Sequence, residues 1–186
     1  MRLIVILITV LVIFSNPNRI SAEDKPKRSP ELQVLDHFIG TWDHELTIKR
    51  LDEIGMEQVT QSTTVDTRKW SAGGTFVMIE NSLAMKKNPD VPELIMMITY
   101  DPDTNTYPGC LMSGPSRTLM TGIWNERTDT MYWSGKDHLK NTIAGKHRFI
   151  GTDRAEASLV ITNPAGKLVL FGQVVEMSWK QTRRKN

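Results

Sequence analysis

Hydrophobic positions change their spacing once along the chain. Leu32, Leu35, Phe38 and Ile39 fall on one face of a helix. Ser29 is a suitable N-cap, Pro30 fits the first helical position, Glu31 is acidic in the first turn, and Gly40 is a suitable stop. These signals predict one short amphipathic helix over Pro30–Ile39.

After Gly40 the period drops towards two. Runs rich in Thr, Val, Ile, Met and aromatics predict strands at Thr41–Arg50, Glu57–Lys69, Thr75–Met85, Glu93–Asp101 and Thr106–Ser113. Five more are predicted at Arg117–Glu126, Asp129–Gly135, Gly145–Thr152, Glu156–Asn163 and Lys167–Gln181. Between them stand turn formers such as Ala72-Gly73-Gly74, Asn88-Pro89-Asp90 and Asn163-Pro164-Ala165-Gly166. Short loops join antiparallel neighbours, because parallel pairs need long crossovers. A run of hairpin-linked strands leaves two exposed edges unless the sheet closes. The expected fold class is therefore all-β, a closed antiparallel up-and-down barrel of about ten strands behind one helix. In the last strand Phe171, Val175, Met177 and Trp179 share a face, which is expected to point inward.

The first residues read differently. Arg2 precedes Leu3–Phe14, twelve residues with only Thr9 polar, and Ile20-Ser21-Ala22 ends the segment on a small residue. This pattern predicts a secretory signal peptide over residues 1–22, and hence an exported protein, periplasmic or extracellular. A run of twelve residues is shorter than the roughly 20 a transmembrane helix needs. Residues 23–28 (EDKPKR) carry no apolar side chain and read as a linker. Residues 29–184 are expected to form a single domain. Without Arg2 and Arg19, basic and acidic side chains balance at 21 each. A nucleic-acid binder needs a basic excess, so nucleic acid is not an expected partner. Cys110 is the only cysteine, which excludes an internal disulfide and a Cys-rich zinc site.

Phe38-Ile39-Gly40-Thr41-Trp42 resembles the Gly-x-Trp opening of lipocalin-like (calycin) barrels. Gly74-Thr75-Phe76 with Glu80, Tyr100-Asp101-Pro102 through Tyr107, Gly122-x-Trp124 and the closing Glu176–Arg183 are similar to one bacterial family of that type, the uncharacterised domain-of-unknown-function family 1579. Thr75 stands where that family carries an arginine. The resemblance implies a barrel with an internal cavity and no established reaction. It also implies that an arginine from the chain's end, Arg183 or Arg184, stacks on a buried Trp42.

The chemistry-bearing residues are sparse. Asp101-Pro102-Asp103-Thr104-Asn105 has oxygen ligands at alternate positions, but Thr106 and Met112 stand where a calcium loop needs Gly and Glu. A hairpin turn is the plainer reading. His37, His44, His138 and His147 include no pair at metal-ligand spacing, and no metal, cofactor or catalytic residue is assigned. His147, in a predicted strand and alternating with Phe149, could face a cavity. It could orient a ligand, or hold haem as in nitrobindin-type barrels, whose opening motif also reads Gly-Thr-Trp; a satisfied histidine is the plainer alternative. Glu80 and Arg148 could join it if they point inward. Seven of the ten methionines fall inside predicted strands, with Met85 at the end of the third, and methionine suits both a plain core and an adaptable apolar cavity. The candidate cavity set is Glu80, Met78, Met97, Trp124, His147, Arg148, Phe171 and Met177. Three readings stay open. The first is a carrier of a small apolar or amphipathic ligand. The second is an isomerase or hydrolase using Glu80, His147 and Arg148. The third is a structural protein with a filled core.

Overall fold

The computed structural model describes residues 28–51, 57–81, 94–114, 116–162 and 175–185. The predicted signal peptide and Phe171 lie outside these residues, as does the side chain of Val175. The helix starts as expected, with Ser29 Oγ accepting from the Leu32 N–H. It is shorter than the apolar pattern implies. An α-helical turn, α1, spans Pro30–Gln33, and the chain tightens into a 3₁₀ turn at Val34–His37. The tightening lets Leu35 and Phe38 drop into the barrel end, where both are buried. No helix among the described residues is long and apolar enough to cross a membrane.

Ten strands follow: β1 Gly40–Leu51, β2 Glu57–Ser71, β3 Phe76–Glu80, β4 Leu94–Ile98, β5 Tyr107–Ser113, β6 Ser116–Asn125, β7 Thr130–Asp137, β8 Thr142–Ile150, β9 Arg154–Thr162 and β10 Val175–Arg183. Every neighbour is antiparallel, and β1 pairs with β10, so the sheet closes without a free edge. This is the expected barrel. Residues opposite one another across a ladder share a face. The inner face can therefore be followed around the barrel from Trp42 to Asp66 and, one step along, from Arg68 through Ile79 to Met96. It continues through Leu111, Thr118 and, on later strands, Met131, His147, Ala157 and Trp179. The last strand places Met177, Trp179 and Gln181 inward and exposes Glu176, Ser178 and Lys180.

The two ends of the barrel differ. The helical segment caps one end. Tyr107 OH donates to the Glu31 carbonyl (2.9 Å), Trp70 Nε1 donates to Asp36 (2.7 Å), and the Arg28 guanidinium lies 4.1 Å from the Trp70 ring centre. Leu35, Phe38, Trp42, Val77, Ile98, Met131 and Phe149 form the packed core beneath that cap. Away from it, the inner face of β2 opens to solvent: Arg68 is buried, whereas Ser62 and Thr60 are exposed.

Gly40 makes the junction possible. Its φ of +128° belongs to glycine, and a Cβ there would meet Arg183 Cδ at 3.2 Å. Gly40→Ala should therefore lower stability by about 1–3 kcal/mol, read as a shift of the urea midpoint.

Candidate functional site

The capped end contains a buried polar cluster. Alternation on β1 and β2 sends His44, Asp66 and Arg68 inward from neighbouring strands, and Gln181 of β10 joins them from the other side of β1. Asp66 is the hub. Arg68 Nε donates to its Oδ1 at 2.9 Å and Arg68 Nη2 to its Oδ2 at 3.1 Å. His44 Nε2 lies 2.9 Å from Oδ2, which places a proton on that nitrogen. Arg68 Nη2 also donates to Gln181 Oε1 at 3.1 Å. Its 3.5 Å approach to His44 Nε2 is long for a hydrogen bond. Burial pushes the Asp66 carboxyl upward, but Arg68 and His44 outweigh it and hold it below the ordinary 3.8.

Trp42, fully buried, donates from Nε1 to the Phe38 carbonyl at 2.8 Å. Two guanidinium carbons lie close to its ring centre, Arg183 at 4.7 Å and Arg68 at 4.9 Å. The arginine expected from the chain's end is thus Arg183, which also donates to the His37 carbonyl at 2.8 Å. Arg184 instead makes a bidentate pair with Asp43 on the surface.

His147 faces the same space from β8. Its ring stacks on Phe149 with centres 4.6 Å apart and meets the edge of Phe38 at 5.0 Å. Burial, and after it the charge of Arg68, drive its basicity well below the ordinary 6.5, so the ring is neutral. Among the described residues three buried side-chain nitrogens lack a hydrogen-bond partner: Arg68 Nη1, His147 Nε2 and Arg183 Nε.

The linkage sign follows from these two depressed values. A chain that unfolds below pH 6.5 gains a proton at His147 that the fold refuses, and below 3.8 it gains another at Asp66. Both contributions are present at neutral pH and are lost as pH falls. Urea midpoints should drop once the pH goes below about 6.5, and His147→Phe should flatten the first part of that decline.

The predicted cavity residues divide. His147, Trp124 and Met177 point inward, and Trp124 stacks on His37 at 5.4 Å. Glu80, Met78, Met97 and Arg148 lie on the outer face. Met78 and Met97 are register partners there, and Glu80 pairs with Lys69 at 3.2 Å. Arg148 is exposed opposite Glu156. The trio Glu80, His147 and Arg148 is therefore not assembled, because odd and even positions of a strand look to opposite sides. The Asp101–Asn105 segment is a turn: Asp101 accepts from Asp103 N at 3.0 Å and from Thr104 Oγ1 at 2.8 Å, its own chain occupying the oxygens a cation would need. A shallow concavity of about 750 Å³ on the outside of β8, β9, β10, β1 and β2 is lined mainly by side chains such as Glu45, Lys146, Arg148, Glu156 and Lys180. It is a solvated surface separate from the buried cluster.

His44, Asp66, Arg68 and Gln181 were not among the predicted site residues. One signal pointed to them. On β2 Thr60, Ser62, Thr64, Asp66 and Arg68 form an unbroken polar row at period two, in register with Trp42, His44 and Leu46 of β1.

A family model described as protein of unknown function (DUF1579) matches residues 27–148. No curated protein matches the chain. Among solved structures it is similar to a protein of unknown function from the DUF3598 family of Nostoc punctiforme PCC 73102, with 11% identity and a TM-score of 0.42 over 81% of this chain and 48% of that one. The chain thus spans about half the length of that protein. It is also similar to the ywiB protein of Bacillus subtilis, with 7% identity and a TM-score of 0.37 over 78% and 93% of the two chains. A third similar structure is EF1p2_mFAP2b bound to DFHBI, with 9% identity and a TM-score of 0.35 over 83% and 99%.

Proposed function

The chain belongs to this DUF1579 family of proteins of unknown function, and from its own geometry we propose that it binds a small amphipathic molecule inside the barrel. One observation carries the reading. Among the described residues, Arg68 Nη1 and His147 Nε2 are buried hydrogen-bonding atoms without partners, on side chains that both lie beside the Phe38 ring at the capped end of the lumen. Buried polar atoms are normally satisfied, so a persistent exception calls for a guest. Away from them the inner face offers half-buried Leu46, Leu159, Met177 and Trp179, a surface suited to an apolar tail. Ten strands enclose more room than the eight that side chains can just fill.

The signal-peptide pattern at residues 1–22 supports an exported binding protein. Native mass spectrometry of protein purified from its host should show a small molecule travelling with the chain. An apolar dye should enter the lumen, and a bound guest should raise the melting temperature by stabilising the folded state alone. Absence of any guest together with failure to take up dye would remove the binding reading. A haem absorption band would instead make His147 an iron ligand.

A further inference from the structure

We propose that the polar head of the guest is a carboxylate, received by Arg68 Nη1 and His147 Nε2 beneath the helical cap. The inference rests on the lumen reading above and narrows it to one ligand class. It follows from what each unfilled atom can accept.

A guanidinium nitrogen only donates, so whatever meets Arg68 Nη1 must be an acceptor. Among the described residues, the acceptors hydrogen-bonded within the cluster already have donors. Asp66 receives Arg68 through both oxygens and His44 through one. The Gln181 oxygen receives Arg68 Nη2. The Phe38 carbonyl receives Trp42, and the His37 carbonyl receives Arg183.

The local charge favours an anion over a neutral oxygen. Asp66 is the only carboxylate hydrogen-bonded within the cluster among the described residues, and the two guanidiniums of Arg68 and Arg183 converge on one indole. Asp153, which acts on Arg183, lies in the exposed turn before β9. Arg68 is close enough to His147 to disfavour the charged form of its ring. In the tautomer that carries its proton on Nε2, the neutral imidazole donates to one carboxylate oxygen while Arg68 Nη1 serves the other. A carboxylate offers two acceptor oxygens, one for each of these separate donors, where a hydroxyl offers one. The carbon chain then runs past Leu46 and Trp179 towards the open end of β2.

The test compares dodecanoate, dodecanol and methyl dodecanoate on the full chain, by calorimetry or dye displacement at neutral pH. Dodecanoate should bind about ten- to a hundredfold more tightly than the other two, the difference a charged hydrogen bond makes. His147→Phe keeps an aromatic ring beside Phe38 and Phe149 and should narrow the ratio of dodecanoate to dodecanol affinity. Arg68→Lys keeps a cation beside Asp66 and should cut it further, because lysine has no second arm. Equal affinity for all three compounds would overturn the carboxylate assignment, leaving only buried water at those atoms, with the lumen reading intact. Retention of the full preference in both variants would also overturn it. Failure of every compound to bind would remove the lumen reading and this inference together.

Discussion

Asp66→Ala should be the most damaging polar substitution in the chain, costing about 3–5 kcal/mol of stability. Its carboxylate is the shared acceptor for Arg68 and His44, both buried. Removing it strands a guanidinium in the barrel interior with only Gln181 as a hydrogen-bonded partner. The penalty is mainly that of an uncompensated buried charge, and a double variant can check this. Asp66→Ala with Arg68→Met removes the stranded cation too, and should be appreciably more stable than the sum of the single losses predicts. Urea titrations at neutral pH give both numbers, provided the slopes match. If Asp66→Ala shifted the midpoint no more than a surface substitution, the cluster would be solvated and its role at the capped end would fall.

Trp42→Ala should cost a similar amount, about 3–5 kcal/mol, for a different reason. Trp42 is fully buried, holds the Phe38 carbonyl, and supplies the ring against which Arg68 and Arg183 lie. Trp42→Phe should cost less, since it keeps an aromatic face and loses the N–H. Comparing the two by thermal or urea unfolding separates the ring from its hydrogen bond. Equal losses would show that the Phe38 contact, rather than the ring volume, holds the cap.

The barrel was legible because its evidence is repetitive. Strand-length runs between turn formers repeat along the chain, and a lost boundary in one run does not change the inference of closure. The contact of an end-of-chain arginine with Trp42 was legible from motif order. The site was less so, for a physical reason. Facing is decided by register, and an error of one residue inverts a strand. Glu80 and Arg148 looked attractive because charged residues near His147 suggest a constellation, yet each lies on the solvent parity of its strand. Nothing in the sequence alone separates Asp66 and Arg68 from ordinary surface charges, because β2 is polar on both faces over much of its length. Only pairing with β1, whose Trp42 and His44 share a parity, turns that row inward. The helix was legible in its start but not in its 3₁₀ ending, which tertiary packing of Leu35 and Phe38 imposes.

The closure of β1 on β10 has a kinetic consequence. Arg68 and Gln181 are 113 positions apart, and Arg183 reaches a carbonyl 146 positions away. The capped end is built from strands far apart in the sequence, so it cannot preorganise while the chain is incomplete. Such long-range pairing slows folding, since loop-closure entropy must be met before the contacts form. During synthesis the earlier hairpins can assemble as an open sheet, but the arginine–aspartate–glutamine cluster must wait for the last strand to leave the ribosome. The closed wall therefore arrives in one step, with β10, and a chain cut short before Gln181 would lack both the full β1–β10 pairing and the Arg68–Gln181 bond.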